Sequence, residues 1–520
     1  MRRFRGGITA LMFLVPGLAG GWMLHANLPE SGSRVFEQVL QIVGRDAIEE
    51  LTTDEAYYHA ARGLVERLGD EYAELYSPEE LATFSREQLG SNYGGLGMQI
   101  EDQQGLVTVT RVFPNTPAER GGVRAGDRIL YVDGESTQGL KLEEVSGRLI
   151  GVAGTTVDVA FGRAGMDEPI RGTFTRAVVH IPAVPYAMVL DDGIGYIPLQ
   201  RFNEGAARDV HDAVRKLQAD GATSFVLDVR GNTGGSLEEA LMISNLFLRA
   251  GQEIARVEYR NRPADVYPAR NATILPDAPM VVLSDGFSAS ASEIVAGALQ
   301  DHDRALVIGT SSFGKGLVQQ IYPLDGGWAM KLTTGKWYTP VGRSIQRERG
   351  DNGVPIEDDN TEKPVYQSAG GRVIYGGGGI TPDVLIRPDT MDQAEQRFMR
   401  AVGADQQKVY VAVYDLALTV KDDVATDFNI SPAWRDQLFS RLQDAELEIS
   451  RAQFDEARPL IDRLLEQRIA GLAFGDSAGF RRFAPWDAQL RAASELLRQG
   501  STQRELFVAA ERMNAARRSD

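Results

Sequence analysis

Apolar and polar positions change rhythm several times along this chain, and each change marks a segment. Residues 8–24 are uncharged and mostly apolar, and Met1-Arg2-Arg3-Phe4-Arg5 precedes them. From 35 to 90, Phe36, Val39, Leu40 and Val43, then Leu64, Val65 and Leu68, recur at three-to-four spacing and predict amphipathic helices. From 91 to 176 the texture turns to β-branched runs punctuated by glycine. Gly105-Leu-Val-Thr-Val-Thr-Arg-Val reads as a strand, as does Asp127-Arg-Ile-Leu-Tyr-Val before the turn pair Asp133-Gly134. From 177 to 390 strands and helices alternate: Gly195-Tyr-Ile-Pro-Leu, a helix over 205–220, Ser224-Phe-Val-Leu-Asp-Val, a helix over 236–250. That alternation predicts a layered α/β core around a buried sheet. The glycine run 376–379 breaks the pattern, and 391–520 reads as a helical extension with amphipathic runs over 432–470 and 486–498. The predicted fold class is an α/β core plus a small β-rich domain and helical N- and C-terminal segments.

Composition removes several functions. With 520 residues, 43% hydrophobic and 24% charged, the chain is folded and large enough for several domains. A net charge of −17 excludes nucleic acid as the main partner, because phosphate binding needs a basic face. There is no cysteine, so disulfides, cysteine-ligated metals and thiol nucleophiles are excluded. Five histidines scattered at 25, 59, 180, 211 and 302 give no metal site, and no cofactor is expected. Lysine occurs only eight times, which makes one in a special setting informative. The basic start and the apolar stretch within residues 1–26 read as a signal anchor or signal peptide. The arginines place the N-terminus in the cytoplasm and the body across the membrane, on the periplasmic side.

The chemistry concentrates in two places. The first is the apolar strand Ala278-Pro-Met-Val-Val-Leu-Ser-Asp, which runs into Gly286-Phe-Ser288-Ala-Ser290-Ala-Ser292-Glu293-Ile-Val-Ala-Gly-Ala-Leu, small and helix-like. Serines there meet the orphan amides and positive dipole end of a helix, where an oxyanion can be stabilised. Serines also simply cap helices, which is the reading for Ser288. No Gly-x-Ser-x-Gly elbow occurs. In the second, Gly309-Thr-Ser-Ser-Phe-Gly314-Lys315-Gly316 nearly matches a phosphate loop. Gly316 stands where a magnesium-binding hydroxyl belongs, however, and Leu-Val-Gln-Gln-Ile-Tyr-Pro323 continues as a strand. A lysine among glycines can instead serve as a desolvated general base, since burial lowers its pKa by several units from ~10.4. Neutral, it could take a proton from serine.

The run from Phe287 to Ala305, Phe313-Gly-Lys-Gly-Leu-Val-Gln319, Leu227-Asp-Val-Arg-Gly-Asn-Thr-Gly-Gly235, Lys331 to Gln346 and Gly379-Ile-Thr-Pro-Asp-Val resemble carboxy-terminal processing proteases (tail-specific proteases, peptidase family S41). The resemblance spans residues 35–390 and implies Ser290 as nucleophile, Lys315 as base and Gln319 as the residue orienting it. It also implies an oxyanion hole from the amides of Ala291 and Gly235, the latter favoured over Gly234; losing one such donor costs about 3 kcal/mol. Tyr93-Gly-Gly95-Leu96-Gly97-Met98, with Pro114 to Gly134 downstream, resembles a PDZ domain. Gly95, Leu96, Gly97 and Met98 would then bind a terminal carboxylate through backbone amides, with the peptide added as a strand. The implied protein is an envelope serine endopeptidase that recognises free protein C-termini and needs neither ATP nor metal. Its expected partners are protein or peptide substrates, the membrane through the N-terminal segment, and a homo-oligomer or adaptor protein at 391–520. The alternatives are a catalytically silent PDZ scaffold and a serine hydrolase using His302.

Overall fold

The computed structural model describes residues 30–85, 92–103, 105–163, 165–348 and 363–519. The predicted anchor at residues 1–26 lies outside them; among the described residues no helix is long and apolar enough to cross a membrane. The chain divides into two compact units.

The first unit holds the described residues up to Leu81 with Gln319–Thr333. Helices α1 (Glu30–Asp46) and α2 (Thr53–Glu66) follow the predicted spacing. Thr52 and Glu55 cap α2 reciprocally, each accepting from the other's backbone amide. The apolar stripe of α1, Val35, Phe36, Val39 and Ile42, is exposed. Strand β1 (Glu74–Tyr76), which periodicity alone did not predict, pairs with residues 329–331, and α3 (Pro78–Phe84) follows.

The second unit begins with the β-rich domain: β2 (Asn92–Gly95), β3 (Met98–Gln103), β4 (Leu106–Val112), α4 (Pro117–Arg120), β5 (Arg128–Val132), β6 (Glu135–Ser136), α5 (Leu142–Leu149), β7 (Thr156–Gly162), β8 (Ile170–Thr175) and β9 (Ala177–His180). Its sheet runs β3-β4-β5-β7-β8, so β3 is an edge strand, and β2 pairs with β9. Val109, Ile129, Val145, Val157 and Phe161 form its core.

Next come β10 (Met188–Leu190), β11 (Ile194–Pro198), α6 (Ala206–Ala219), β12 (Ser224–Asp228), α7 (Leu237–Phe247), β13 (Glu253–Tyr259), β14 (Asp265–Pro268), β15 (Met280–Ser284), α8 (Ala291–Asp301), β16 (Leu306–Gly309), β17 (Leu317–Pro323), β18 (Ala329–Tyr338), β19 (Val365–Gln367), β20 (Val373–Tyr375) and β21 (Val384–Leu385). The central sheet has the order β10-β11-β12-β15-β16-β21, parallel except for β10. Strands β12, β15 and β16 are buried throughout, as apolar runs of a parallel sheet covered on both faces should be. Alternate side chains go to opposite layers. Phe225, Leu227, Met280, Val282 and Val307 join the core containing α6, α7 and α8.

The other layer comes from the end of the chain. After α9 (Gln393–Val402), α10 (Gln406–Val420), α11 (Pro432–Asp444), α12 (Arg451–Glu456), α13 (Arg458–Phe474) and α14 (Asp476–Phe483) come α15 (Ala488–Gln499) and α16 (Gln503–Ser519). Leu490, Ala493, Leu496 and Leu506 pack on Val226, Val281, Leu283 and Ile308. Helices α9 to α13 bury their own apolar cluster. The run 432–470 is therefore three helices, broken at Glu446 (φ 58°) and Ala457, where the sequence shows one continuous amphipathic pattern. The expected layered α/β core, small β-rich domain and helical ends are all present.

Candidate active site

The candidate residues of the second unit gather where β12, β15 and β16 end, the edge of a parallel sheet at which ligands bind. Beyond Ser284, Asp285 accepts from the amides of Gly231, Phe287 and Ser288 and turns the chain toward α8. Of the three serines, Ser288 donates its hydroxyl to Val229 O (2.8 Å) and Ser292 to Asn232 O (2.8 Å), both fully buried. Ser290 lies between them, half-buried, at the N-cap of α8 with φ 54° and ψ −111°. A non-glycine residue held there costs about 1–3 kcal/mol, strain that clusters at functional sites. The backbone makes the sharp strand-to-helix corner of a nucleophile elbow without the glycines that signal one in sequence.

Glu293, one turn into α8, is fully buried and ties the site together. Its Oε2 accepts from the backbone amides of both Ser290 (2.8 Å) and Lys315 (2.9 Å). Its Oε1 accepts from Ser312 Oγ (2.5 Å) and the Gly314 amide (2.7 Å). Burial pushes the Glu293 carboxyl above the usual carboxylate range, against the pull of these four donors. Lys315 is half-buried, its carbonyl accepts from Trp337 Nε1 (3.0 Å), and strand β17 follows it two residues later. A phosphate loop needs a helix at that point. Sequence reasoning passed over Glu293, although Ser290-x-x-Glu293 is a capping-box spacing.

The loop after β12 supplies the second wall. A Cβ on Gly234 (φ +100°) would lie 3.0 Å from both the Ser290 Cβ and the Ala291 nitrogen, so only glycine permits this approach. The Gly234 amide is committed to Asn232 Oδ1 (3.0 Å). Among the described residues, no acceptor takes the amide of Gly235 or of Ala291, the first residue of α8. Two amides are therefore uncommitted, that of Ala291 next to the serine in sequence and that of Gly235 in the loop whose Gly234 packs against it. Gln319 belongs to the first unit, where its Nε2 donates to Thr333 Oγ1 (3.3 Å).

His302 caps the opposite end of α8, and its Nε2 lies 2.6 Å from Glu253 O. Twelve residues at 1.5 Å rise put it ~18 Å from Ser290, out of reach as a base. His302→Ala is expected to leave turnover within about twofold of wild type, against the ~10²–10⁴-fold loss of a general base; a rate assay on both proteins decides this.

In the β-rich domain, Gly95 ends β2 opposite Ala177, and Leu96 and Met98 are buried in the core. The Leu96 carbonyl accepts from the Ala118 amide (2.8 Å) and that of Gly97 from Phe113 (2.9 Å). In a trans peptide, N–H and C=O point in opposite directions. The amides of Gly97 and Met98 therefore turn away from these partners, the second toward the open edge of β3.

Residues 193–357 match the model of peptidase family S41, and residues 108–163 match a PDZ domain. A carboxy-terminal-processing protease of Bartonella bacilliformis is 38% identical over 275 residues, covering 52% of this chain and 63% of the relative. The carboxy-terminal processing protease CtpA of Bacillus subtilis is 32% identical over 316 residues, covering 61% and 66%. The chain thus spans less than two thirds of these relatives' lengths. Among solved structures, a photosystem II D1 C-terminal processing protease aligns over 73% of this chain and 99% of its own at 27% identity, with a TM-score of 0.37. In S41 terms, Ser290, Lys315 and Ala291 all fall inside the matched segment.

Proposed function

We propose that this chain is a serine endopeptidase that captures a free protein C-terminus in its PDZ domain and cleaves near it with a Ser290/Lys315 dyad. The observation that carries this reading is the single Glu293 oxygen bonded to the amides of both Ser290 and Lys315, beside the uncommitted amides of Ala291 and Gly235. Lys315, as a neutral amine, takes the Ser290 hydroxyl proton while Oγ attacks the scissile carbonyl carbon. The developing oxyanion is held by Ala291 and Gly235 N–H. The ammonium then returns its proton to the leaving amine, the C–N bond breaks, and an acyl-enzyme remains. Water attacks it with Lys315 again as base, which releases the new carboxylic acid and restores Ser290. Gln319 is assigned the role of orienting Lys315 on family likeness alone.

In the PDZ domain, the turned-out amides of Gly97 and Met98 support carboxylate capture, and the open β3 edge supports strand addition. The basic, then apolar N-terminal segment supports attachment to the cytoplasmic membrane with the body on the periplasmic side. The test uses an unfolded substrate with an apolar C-terminus, supplied as the free acid and as the amide. The free acid is expected to be cut. Amidation should raise KM about tenfold to hundredfold, from the ~1.5–3 kcal/mol of a hydrogen bond to a charged group. Equal KM values would remove the PDZ role, and an uncut free acid would count against the peptidase.

A further inference from the structure

We infer that Asp487, at the start of α15 in the C-terminal extension, is a positioning residue for the oxyanion loop. The inference rests on the peptidase reading for what that loop does. The loop begins at Arg230, whose guanidinium lies between two carboxylates. On one side Nε and Nη2 donate to Asp228, at 2.9 Å to Oδ1 and 2.6 Å to Oδ2. On the other, Nη1 and Nη2 donate to Asp487 as a fork, at 2.9 Å to Oδ1 and 2.6 Å to Oδ2. Nη1 also reaches Gln489 Oε1 at 2.9 Å.

The two sides are not equivalent. Asp228 is two residues from Arg230, so that pair alone could swing with the loop. Asp487 comes from 257 residues away and is fixed to the sheet. Its Oδ1 caps α15 through the amides of Gln489 and Leu490, and Gln489 donates to Ile386 O (2.8 Å). Leu490, Ala493 and Leu496 then bury α15 against the strands. A bidentate fork fixes direction as well as distance.

From Arg230 the constraint runs five residues to Gly235. Gly231 donates to Asp285 (3.0 Å), and Asn232 Nδ2 donates to Leu199 O (2.8 Å). The Asn232 carbonyl accepts from Ala289 N (3.1 Å) and Ser292 Oγ (2.8 Å), on either side of Ser290. The origin of this loop thus decides where the Gly235 amide lies relative to the serine. A donor misplaced by about 1 Å can cost on the order of 10²-fold in rate.

Asp487→Asn keeps an oxygen for the helix cap and removes the charged fork. In the full-length protein, kcat is expected to fall about 10- to 100-fold with KM within about threefold. Affinity for a peptide boronate, which needs the oxyanion donors, should fall in parallel. Amide hydrogen exchange over residues 231–235 should quicken about tenfold while that of α15 stays unchanged. Unaltered kcat and unaltered loop exchange would overturn the inference, as would a fall in kcat without faster loop exchange. A wild type that cuts nothing, with loop exchange still quickened in the variant, would strike the peptidase reading and leave the anchoring contact standing.

Discussion

Ser290→Ala lowers peptide cleavage on the order of 10⁶-fold, the full loss expected when a covalent nucleophile is removed. Lys315→Ala lowers it by at least about 10³-fold, within the range for a general base. Neighbouring serines serve as the control. Ser288 and Ser292 give their hydroxyls to the backbone carbonyls of Val229 and Asn232, so their alanine variants lose about 1–3 kcal/mol of stability; Ser288→Ala keeps the chemistry, and Ser292→Ala, which removes one hold on the oxyanion loop, loses at most about 10²-fold in rate, far short of Ser290→Ala. The separation is read by comparing turnover of an unfolded substrate with thermal melting for all four variants. A Lys315→Ala enzyme that cuts like wild type would end the dyad mechanism, and equal losses at Ser288 and Ser290 would mean that the segment matters only structurally.

Glu293→Gln is the second large effect, and its interest is that activity and stability part company. Four donors face this carboxylate, on both oxygens. Glutamine offers one acceptor oxygen and turns an NH₂ toward the remaining donors, so Ser290 and Lys315 no longer share a fixed acceptor. A fall in kcat of about 10²–10³-fold is expected, comparable to losing one oxyanion donor. Stability follows a different sign. Burial raises the folded-state pKa of Glu293 above its unfolded value. Its contribution to stability is therefore fully present below the unfolded pKa and is lost as pH rises through the folded one. Wherever the carboxylate is ionised, its buried charge is a cost that glutamine removes, which offsets the lost hydrogen bonds. The melting temperature should stay within about 5 °C of wild type, at about 2–4 °C per kcal/mol for a domain of this size. A variant that melts far lower would make Glu293 a folding residue rather than a positioning one.

Much of this was legible in the sequence, for identifiable reasons. Strands β12, β15 and β16 announce themselves because a sheet covered on both faces demands unbroken apolar runs. The serine-rich corner and Lys315 stand out because small residues and glycines leave few other uses for them. Partners set by long-range folding were not legible. Glu293 reads as one more helical acid until the loop carrying Lys315 is folded against it. Asp487 meets Arg230 only through tertiary packing. The interruptions at Glu446 and Ala457 did carry local signals, the Ser450-x-x-Gln453 capping box and Pro459 at the start of α13, but the amphipathic pattern running through them hid both. Strand β1 escaped because its three residues are too short for periodicity to register.

The second face of the central sheet is covered by helices from the far end of the chain, and this puts a clock on its assembly. A ribosome adds about 5–20 residues per second, so the stretch from Lys315 to Asp487 takes on the order of 10–40 s to synthesise. Through that interval a nascent chain already carries Ser290 and Lys315, but Val226, Val281 and Leu283 lack their helical cover and Arg230 lacks its second carboxylate. On the peptidase reading, loops aligned by these late helices would keep the nascent chain inactive while it is being made.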